Sequence, residues 1–188
     1  QSASFTMNVV PVLIDQLEAY AGGTTDRWER LSRIPAEALS LEDVKFLRER
    51  FFHGHPTMRQ GSPRYRDLEQ RRAGLSTSQE LRDLQVWSNL AWMGGVARRH
   101  PQVRALIAQD RDYSHDQLIA LMNLQHELVT KVLPLWKTVP GISLSPYTHP
   151  ILPLLVDFSH VRRAMPHVPD EVQFRHPDDA RRHIEEAL

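Results

Sequence analysis

The sequence lacks cysteine and any long apolar run, and these two absences exclude several classes of protein. Without cysteine, the chain has no disulfide framework, no thiol nucleophile and no thiolate metal site. The most apolar run, Ile151 to Val156, is interrupted by proline. It is also far shorter than the roughly 20 residues that a helix needs to span a bilayer. We therefore expect no membrane-spanning segment and no membrane partner.

An excess of charge of one sign is also missing. The 188 residues contain 23 Lys and Arg and 23 Asp and Glu, so no basic excess is present to bind a nucleic-acid backbone. With 41% apolar and 24% charged residues, the composition is typical of a globular protein. The first residues have neither a basic region nor an apolar region, so they do not resemble a signal peptide. A cytoplasmic location is therefore favoured, although the lack of thiols is compatible with either redox compartment.

The beginning of the chain has the pattern of a β/α unit. Phe5 to Val10 is rich in β-branched residues and predicts a short strand, and Pro11 suits the first turn of a helix. This helix is expected to run to Tyr20 and to end at Gly22-Gly23. One face of it carries apolar residues at three- and four-residue spacing, which predicts burial: Leu13, Ile14, Leu17 and Tyr20. Such a strand normally needs parallel neighbours.

Most of the remaining chain predicts helices. Ser40 with Asp43, and Ser114 with Gln117, have the spacing of helix-capping boxes, and the second helix is expected to continue to about Lys137. Another helix ends near Gly94-Gly95, whereas glycine and proline predict a loop between Phe52 and Pro63. A second strand is predicted within residues 142–147. Because two short strands do not make an independently stable sheet, we expect further strands outside this chain.

The common catalytic and metal-binding motifs are absent or incomplete. His53 and His55 form the only close histidine pair, but they lie in a predicted loop, where exposed histidines are the simpler interpretation. His126-Glu127 begins like a zinc-protease helix, but Thr130 stands where the second histidine is required. The sequence has no serine-hydrolase elbow, dinucleotide motif or phosphate loop. We therefore predict neither a metal nor a cofactor.

Two places in the sequence are candidates for ligand contact. Residues 141–157 predict a strand that ends in Ser-Pro-Tyr-x-His, which presents Tyr147 and His149 beyond the sheet. Chemistry in parallel β/α folds collects at such strand ends. The alternative is a structural turn in which His149 is hydrogen-bonded to the backbone. Trp92 is the second place, because it ends a helix beside a glycine turn, where its ring can reach the face of a sugar.

Residues 145–157 resemble glycoside hydrolase family 57, which includes amylases, amylopullulanases and α-glucanotransferases. The family pattern S-P-Y-x-H-P-I-L-P-L-L-x-D is matched from Ser145 to Asp157. Further blocks that resemble the family, in the same order and with similar spacing, are Phe5–Pro11, Arg64–Arg66, Asp83–Trp92 and Phe174–Ala180. The similarity therefore extends over almost the whole chain.

The resemblance implies an α/β fold that is part of a seven-stranded (β/α) barrel with a large helical insertion, so that this chain is mostly helical. Residues 1–22 and 141–188 would form β/α units, and residues 23–140 would form the insertion. It also implies retaining hydrolysis or transfer of α-glucosidic bonds by a Glu nucleophile and an Asp general acid. The family's opening strand would precede Gln1 and both carboxylates would follow Leu188, so this chain is expected to contribute no catalytic carboxylate. The expected partner is an α-glucan or an oligosaccharide.

The resemblance also assigns residues to the sugar pocket. His149 matches a family position near the cleavage point, and Tyr147 is expected to stack on or hydrogen-bond the same sugar. Asn8, at the end of the first strand, is a third candidate, with a structural role in the turn before Pro11 as its alternative. Asp157 is the nearest acid and is expected to cap a helix. The alternative function is a non-catalytic helical carbohydrate-binding or interaction module, and the oligomeric state stays open.

Overall fold

The computed structural model describes residues 5–59, 62–168 and 174–188, and this part of the chain is mostly helical. Its two short strands are Met7–Val9 (β1) and Ile142–Leu144 (β2). The α-helices of the described part are Pro11–Ala21 (α1), Arg27–Arg33 (α2), Leu41–Arg50 (α3), Pro56–Arg59 (α4), Pro63–Gln70 (α5), Ser78–Ala91 (α6), Pro101–Gln109 (α7), His115–Trp136 (α8), Leu152–Val156 (α9) and Pro177–Glu185 (α10). Among the described residues, no helix combines the length and apolarity needed to cross a membrane.

The chain divides into two compact units. A helical unit comprises Thr24–Leu128, and a β/α unit comprises Gln1–Gly23 together with Val129–Leu188. The boundary falls inside α8, whereas the resemblance placed the end of the helical insertion at residue 140.

The helical unit is built around α6. Nine of the 14 residues of α6 are buried, among them Leu84, Val86 and Leu90. Stacked aromatic rings cover one side of this helix: the centroids of Phe52 and Tyr65 are 5.5 Å apart, and those of Tyr65 and Trp87 are 6.3 Å apart. Because α2, α3 and α5 all pack on α6, it forms the centre of the core.

Hydrogen-bonded caps fix the starts of the principal helices, as predicted. The Ser40 hydroxyl accepts the Asp43 N–H at 3.2 Å, and the Ser114 hydroxyl accepts the Gln117 N–H at 3.1 Å. The predicted loop between Phe52 and Pro63 is only partly correct, because it contains the short helix α4. Residues 60 and 61 of that stretch lie outside the described residues.

The strands of the β/α unit pair with each other in parallel. Met7 lies opposite Ile142, Asn8 opposite Ser143, and Val9 opposite Leu144. Helix α1 starts at Pro11, which has no N–H to leave unbonded, and ends where the Gly22 N–H donates to the Glu18 carbonyl at 2.8 Å.

The expected burial of one face of α1 is wrong for the described part of the β/α unit. Leu13 is 39% exposed, and Ile14, Leu17 and Tyr20 are only half-buried. The physical reason is that the described residues of this unit form a very small core. Its buried residues are Val9, Pro11, Ser145 and Ala180.

Candidate functional site

The candidate site lies at the carboxyl ends of β1 and β2. Because these strands are parallel, the segments that follow them leave the sheet at the same edge. The pairing continues one residue beyond β2, where the Ser145 N–H donates to the Val9 carbonyl at 3.0 Å. Ser145 and Val9 are both buried, so this hydrogen bond anchors the start of the segment that follows β2.

A tight turn then exposes His149. The His149 N–H donates to the Pro146 carbonyl at 2.7 Å, and His149 has a φ of 60°, in the left-handed region. This conformation is uncommon for residues other than glycine and persists where the surroundings hold it. The turn is therefore closed by the backbone of His149, and its side chain is exposed at the strand edge.

Tyr147, inside this turn, is bonded to two helices. Its hydroxyl donates to Oδ2 of Asp15 in α1 at 2.5 Å, and its N–H donates to the His183 carbonyl in α10 at 2.9 Å. The hydrogen bond to Asp15, partial desolvation and the charges of Asp15 and Glu186 raise the pKa of the Tyr147 phenol. The phenol therefore remains protonated at neutral pH and donates to Asp15.

Asn8 lies on the same strand pair, and its amide donates to the Ser143 hydroxyl at 3.0 Å. Both residues are exposed. The first turn of α1 follows β1, where the Leu13 N–H donates to the Val10 carbonyl at 3.0 Å.

Asp157 caps a helix, as expected. Its carboxylate accepts the Ser159 N–H at 2.9 Å, at the start of the 3-10 helix Phe158–Arg163. Hydrogen bonds from the side chain and backbone of Ser159 lower the pKa of Asp157. The group is therefore ionised at neutral pH, which does not suit a general acid.

An apolar groove of about 460 Å³ begins directly after the turn. Its lining residues are Pro150, Ile151, Leu154, Leu155, Phe158 and Phe174. Two of these residues are joined by their backbones, because the Phe158 N–H donates to the Phe174 carbonyl at 2.9 Å.

Trp92, the fourth predicted contact, belongs to the helical unit, whereas Asn8, Tyr147 and His149 belong to the β/α unit. It ends α6 and is 63% exposed, whereas Trp87 in the same helix is 4% exposed. Gly54, with a φ of 137°, lies beside the Trp92 ring; a Cβ there would be 3.7 Å from Cζ2 of Trp92. A large part of this indole is thus open to a ligand.

Two further observations complete the site. The described residues contain no group of three His, Asp or Glu side chains placed to hold a metal ion.

Asp15, which the sequence did not single out, belongs to the site through Tyr147. These residues are separated by 132 positions, and one exposed acid on a helix gives no sequence signal of such a contact.

Comparison of the chain with known protein families, curated proteins and solved structures finds no match.

Proposed function

We propose that this chain is part of the catalytic domain of a retaining glycosidase or glucanotransferase of the family 57 type, acting on α-glucans. In the full-length protein, β1 and β2 would be adjacent strands of a seven-stranded barrel, and residues 24–128 would lie in its helical insertion. The observation that carries this proposal is the exposed His149, held in a left-handed turn at the carboxyl edge of a parallel strand pair. In β/α barrels this edge is where substrates bind.

The side chains at this edge suit an uncharged ligand rich in hydroxyl groups. The imidazole of His149 can donate and accept hydrogen bonds, and the exposed Asn8 amide on β1 is another group that can do both. The Tyr147 hydroxyl is already bonded to Asp15, so its half-buried ring is what remains for contact with a sugar.

Asp15 and Asp157, the two acids singled out above, have other roles. Retaining glycosidases place two carboxyl groups about 5 to 5.5 Å apart, one as nucleophile and one as general acid. Asp15 accepts the Tyr147 hydroxyl, and Asp157 caps a 3-10 helix. The proposal therefore assigns the nucleophile and the acid to strands that follow Leu188.

Sugar release tests this assignment directly. Both the full-length protein and the 188-residue chain would be incubated with maltooligosaccharides and assayed for new reducing ends. We expect release by the full-length protein and none by the 188-residue chain. Turnover by the 188-residue chain would contradict the assignment of the carboxylates.

Substitution of His149 tests the sugar contact. In the full-length protein, His149→Ala should lower kcat/KM by about tenfold or more, since a polar contact to the transition state is lost. His149→Gly should lower kcat/KM equally without loss of stability, because glycine favours a positive φ. His100→Ala, an exposed histidine of the helical unit, is the matched control. Wild-type kcat/KM in both His149 variants would reduce His149 to a structural role.

The second candidate function is a non-catalytic carbohydrate-binding module. The exposed Trp92 and the independent core of the helical unit favour it. It predicts that the full-length protein binds maltooligosaccharides without releasing sugar, and that Trp92→Ala abolishes this binding while Trp28→Ala does not. Release of reducing ends by the full-length protein would exclude it.

A further inference from the structure

One residue connects the turn that carries His149 to two helices. The Tyr147 carbonyl accepts the Val12 N–H from α1 at 3.1 Å, and the Tyr147 N–H donates to the His183 carbonyl in α10 at 2.9 Å. The third bond, from the Tyr147 hydroxyl to Asp15, is made by side chains alone and is 2.5 Å long. It is therefore the connection that single substitutions can remove.

The turn that carries His149 needs hydrogen bonds from outside it to keep its conformation. His149 keeps a φ of 60°, which costs free energy for a residue with a Cβ, and only a 2.7 Å bond to Pro146 closes the turn locally. Tyr147 lies between these two residues. Loss of its side-chain bond to Asp15 would leave Tyr147 held by its two backbone bonds alone, so that the turn would relax toward ordinary backbone conformations and the His149 imidazole would move.

We propose that Asp15 is a positioning residue for His149: its carboxylate holds the Tyr147 hydroxyl and so fixes the turn that presents the imidazole to the substrate. This inference rests on the proposed function, because only there does His149 contact a sugar. Asp15 itself is placed on helix α1 and acts through Tyr147, without touching the reacting atoms.

The electrostatics of the pair support this role. The bond to Asp15 is the largest cause of the raised pKa of Tyr147, and the charge of Glu186 adds to it. The phenol therefore keeps its proton at neutral pH and remains a hydrogen-bond donor to Asp15.

Kinetics of the full-length protein on maltooligosaccharides give the first test. Asp15→Ala and Tyr147→Phe should each lower kcat/KM by about three- to tenfold, the range of one ordinary hydrogen bond. The double variant should lose no more than either single variant, since both remove one bond. Asp15→Asn should stay near wild type, because its amide oxygen still accepts the hydroxyl. Glu18→Ala, an exposed acid of the same helix, is the control.

Two of these results would overturn the proposal. One is wild-type kcat/KM in Asp15→Ala. The other is an equal loss in Asp15→Asn and Asp15→Ala, which would show that the charge matters and the hydrogen bond does not.

A second test needs no substrate. The ring proton of His149, assigned by its loss in His149→Ala, should shift in the NMR spectra of Asp15→Ala and Tyr147→Phe but not in those of Asp15→Asn and Glu18→Ala. In a pH titration followed by tyrosinate absorbance, the ionisation of Tyr147 is assigned by its absence in Tyr147→Phe. This ionisation should occur at lower pH in Asp15→Ala and Asp15→Asn than in the wild type. An unmoved His149 signal in Asp15→Ala overturns the proposal. A shifted signal in a protein that cleaves no glucan supports the hold of Asp15 on His149 and counts against the proposed function alone.

Discussion

Asp83 is a fully buried carboxylate in the helical unit, and every hydrogen bond that it accepts comes from the same unit. Arg64 donates to it from Nε at 2.9 Å, and Nη2 of Arg64 lies 2.8 Å from the same carboxylate oxygen in an ion pair. The Gln79 amide donates at 3.0 Å, and the Tyr113 N–H donates at 3.2 Å. These bonds connect α5, α6 and the segment just before α8, so Asp83 organises the polar part of an otherwise apolar core.

Removal of this carboxylate should strongly destabilise the protein. Asp83→Ala leaves the largely buried Arg64 with the half-exposed Asp67 as its remaining acidic partner, and we expect a loss of about 3 kcal/mol in the free energy of unfolding. Urea denaturation of the wild type and the variant measures this difference. Glu49→Ala, on the exposed face of α3, should change stability by less than about 0.5 kcal/mol. A loss in Asp83→Ala as small as that of the control would contradict this reading of the network.

At the residue scale, the sequence predicted the exposed position of His149 but not the partners of the polar side chains around it. His149 is exposed at a strand end because proline and parallel pairing direct the chain there, and both features are readable in the sequence. The contacts Tyr147–Asp15 and Asn8–Ser143 join residues more than 130 positions apart. No local pattern encodes them, because tertiary packing decides which polar groups meet.

At the scale of elements, α6 begins with a network of charges. Glu80 accepts bonds from the Thr77 hydroxyl at 3.0 Å and from Arg71 at 2.8 Å. The bond to Arg71 is the main reason that the pKa of Glu80 falls to about 2. Asp67 accepts a bond from the same Arg71, which likewise lowers its pKa to about 2.

This network predicts loss of stability in acid. Between pH 5 and pH 2 the folded protein keeps Glu80 ionised while the unfolded chain binds a proton, so stability falls as pH falls through this window. Glu80→Gln should lower the free energy of unfolding at pH 7 by only about 1 kcal/mol, because Arg71 is half-exposed and the surrounding solvent screens the ion pair. The variant should also show a shallower decline below pH 5.

Urea denaturation of the wild type and Glu80→Gln at pH 7, 5, 4 and 3 tests both statements. Glu49→Gln is the matched control. Identical pH slopes for the wild type and Glu80→Gln would contradict the assignment of the slope to this residue. Some slope should remain in the variant because Asp67 still titrates.

Local signals in the sequence account for most of the elements. The boxes Ser40–Asp43 and Ser114–Gln117 were predicted from spacing alone, since a cap needs only residues within one turn. Burial of α1 was predicted wrongly because an apolar face shows only that a helix can be buried. Whether Leu13 is covered depends on elements that its own periodicity does not specify.

At the scale of the whole molecule, apolar burial is divided unequally. The cluster of buried hydrophobic residues from Leu31 to Leu124 lies entirely in the helical unit. In the β/α unit, β2 is exposed along its length, with Ile142 47% and Leu144 44% exposed. Apolar strand residues left in water contribute little to stability. Local opening free energies should therefore differ between the two units.

Hydrogen exchange would reveal this division and test the barrel at the same time. In the 188-residue chain, amides of α6 should be strongly protected and those of β1 and β2 weakly protected. In the full-length protein, the proposed neighbouring strands would cover β1 and β2 and slow their exchange by at least about tenfold. Mass spectrometry of peptides from both proteins under identical conditions makes the comparison, with the α6 peptides as the internal control. Equal, weak protection of β1 and β2 in both proteins would mean that no further strands pair with them, and the barrel would be ruled out.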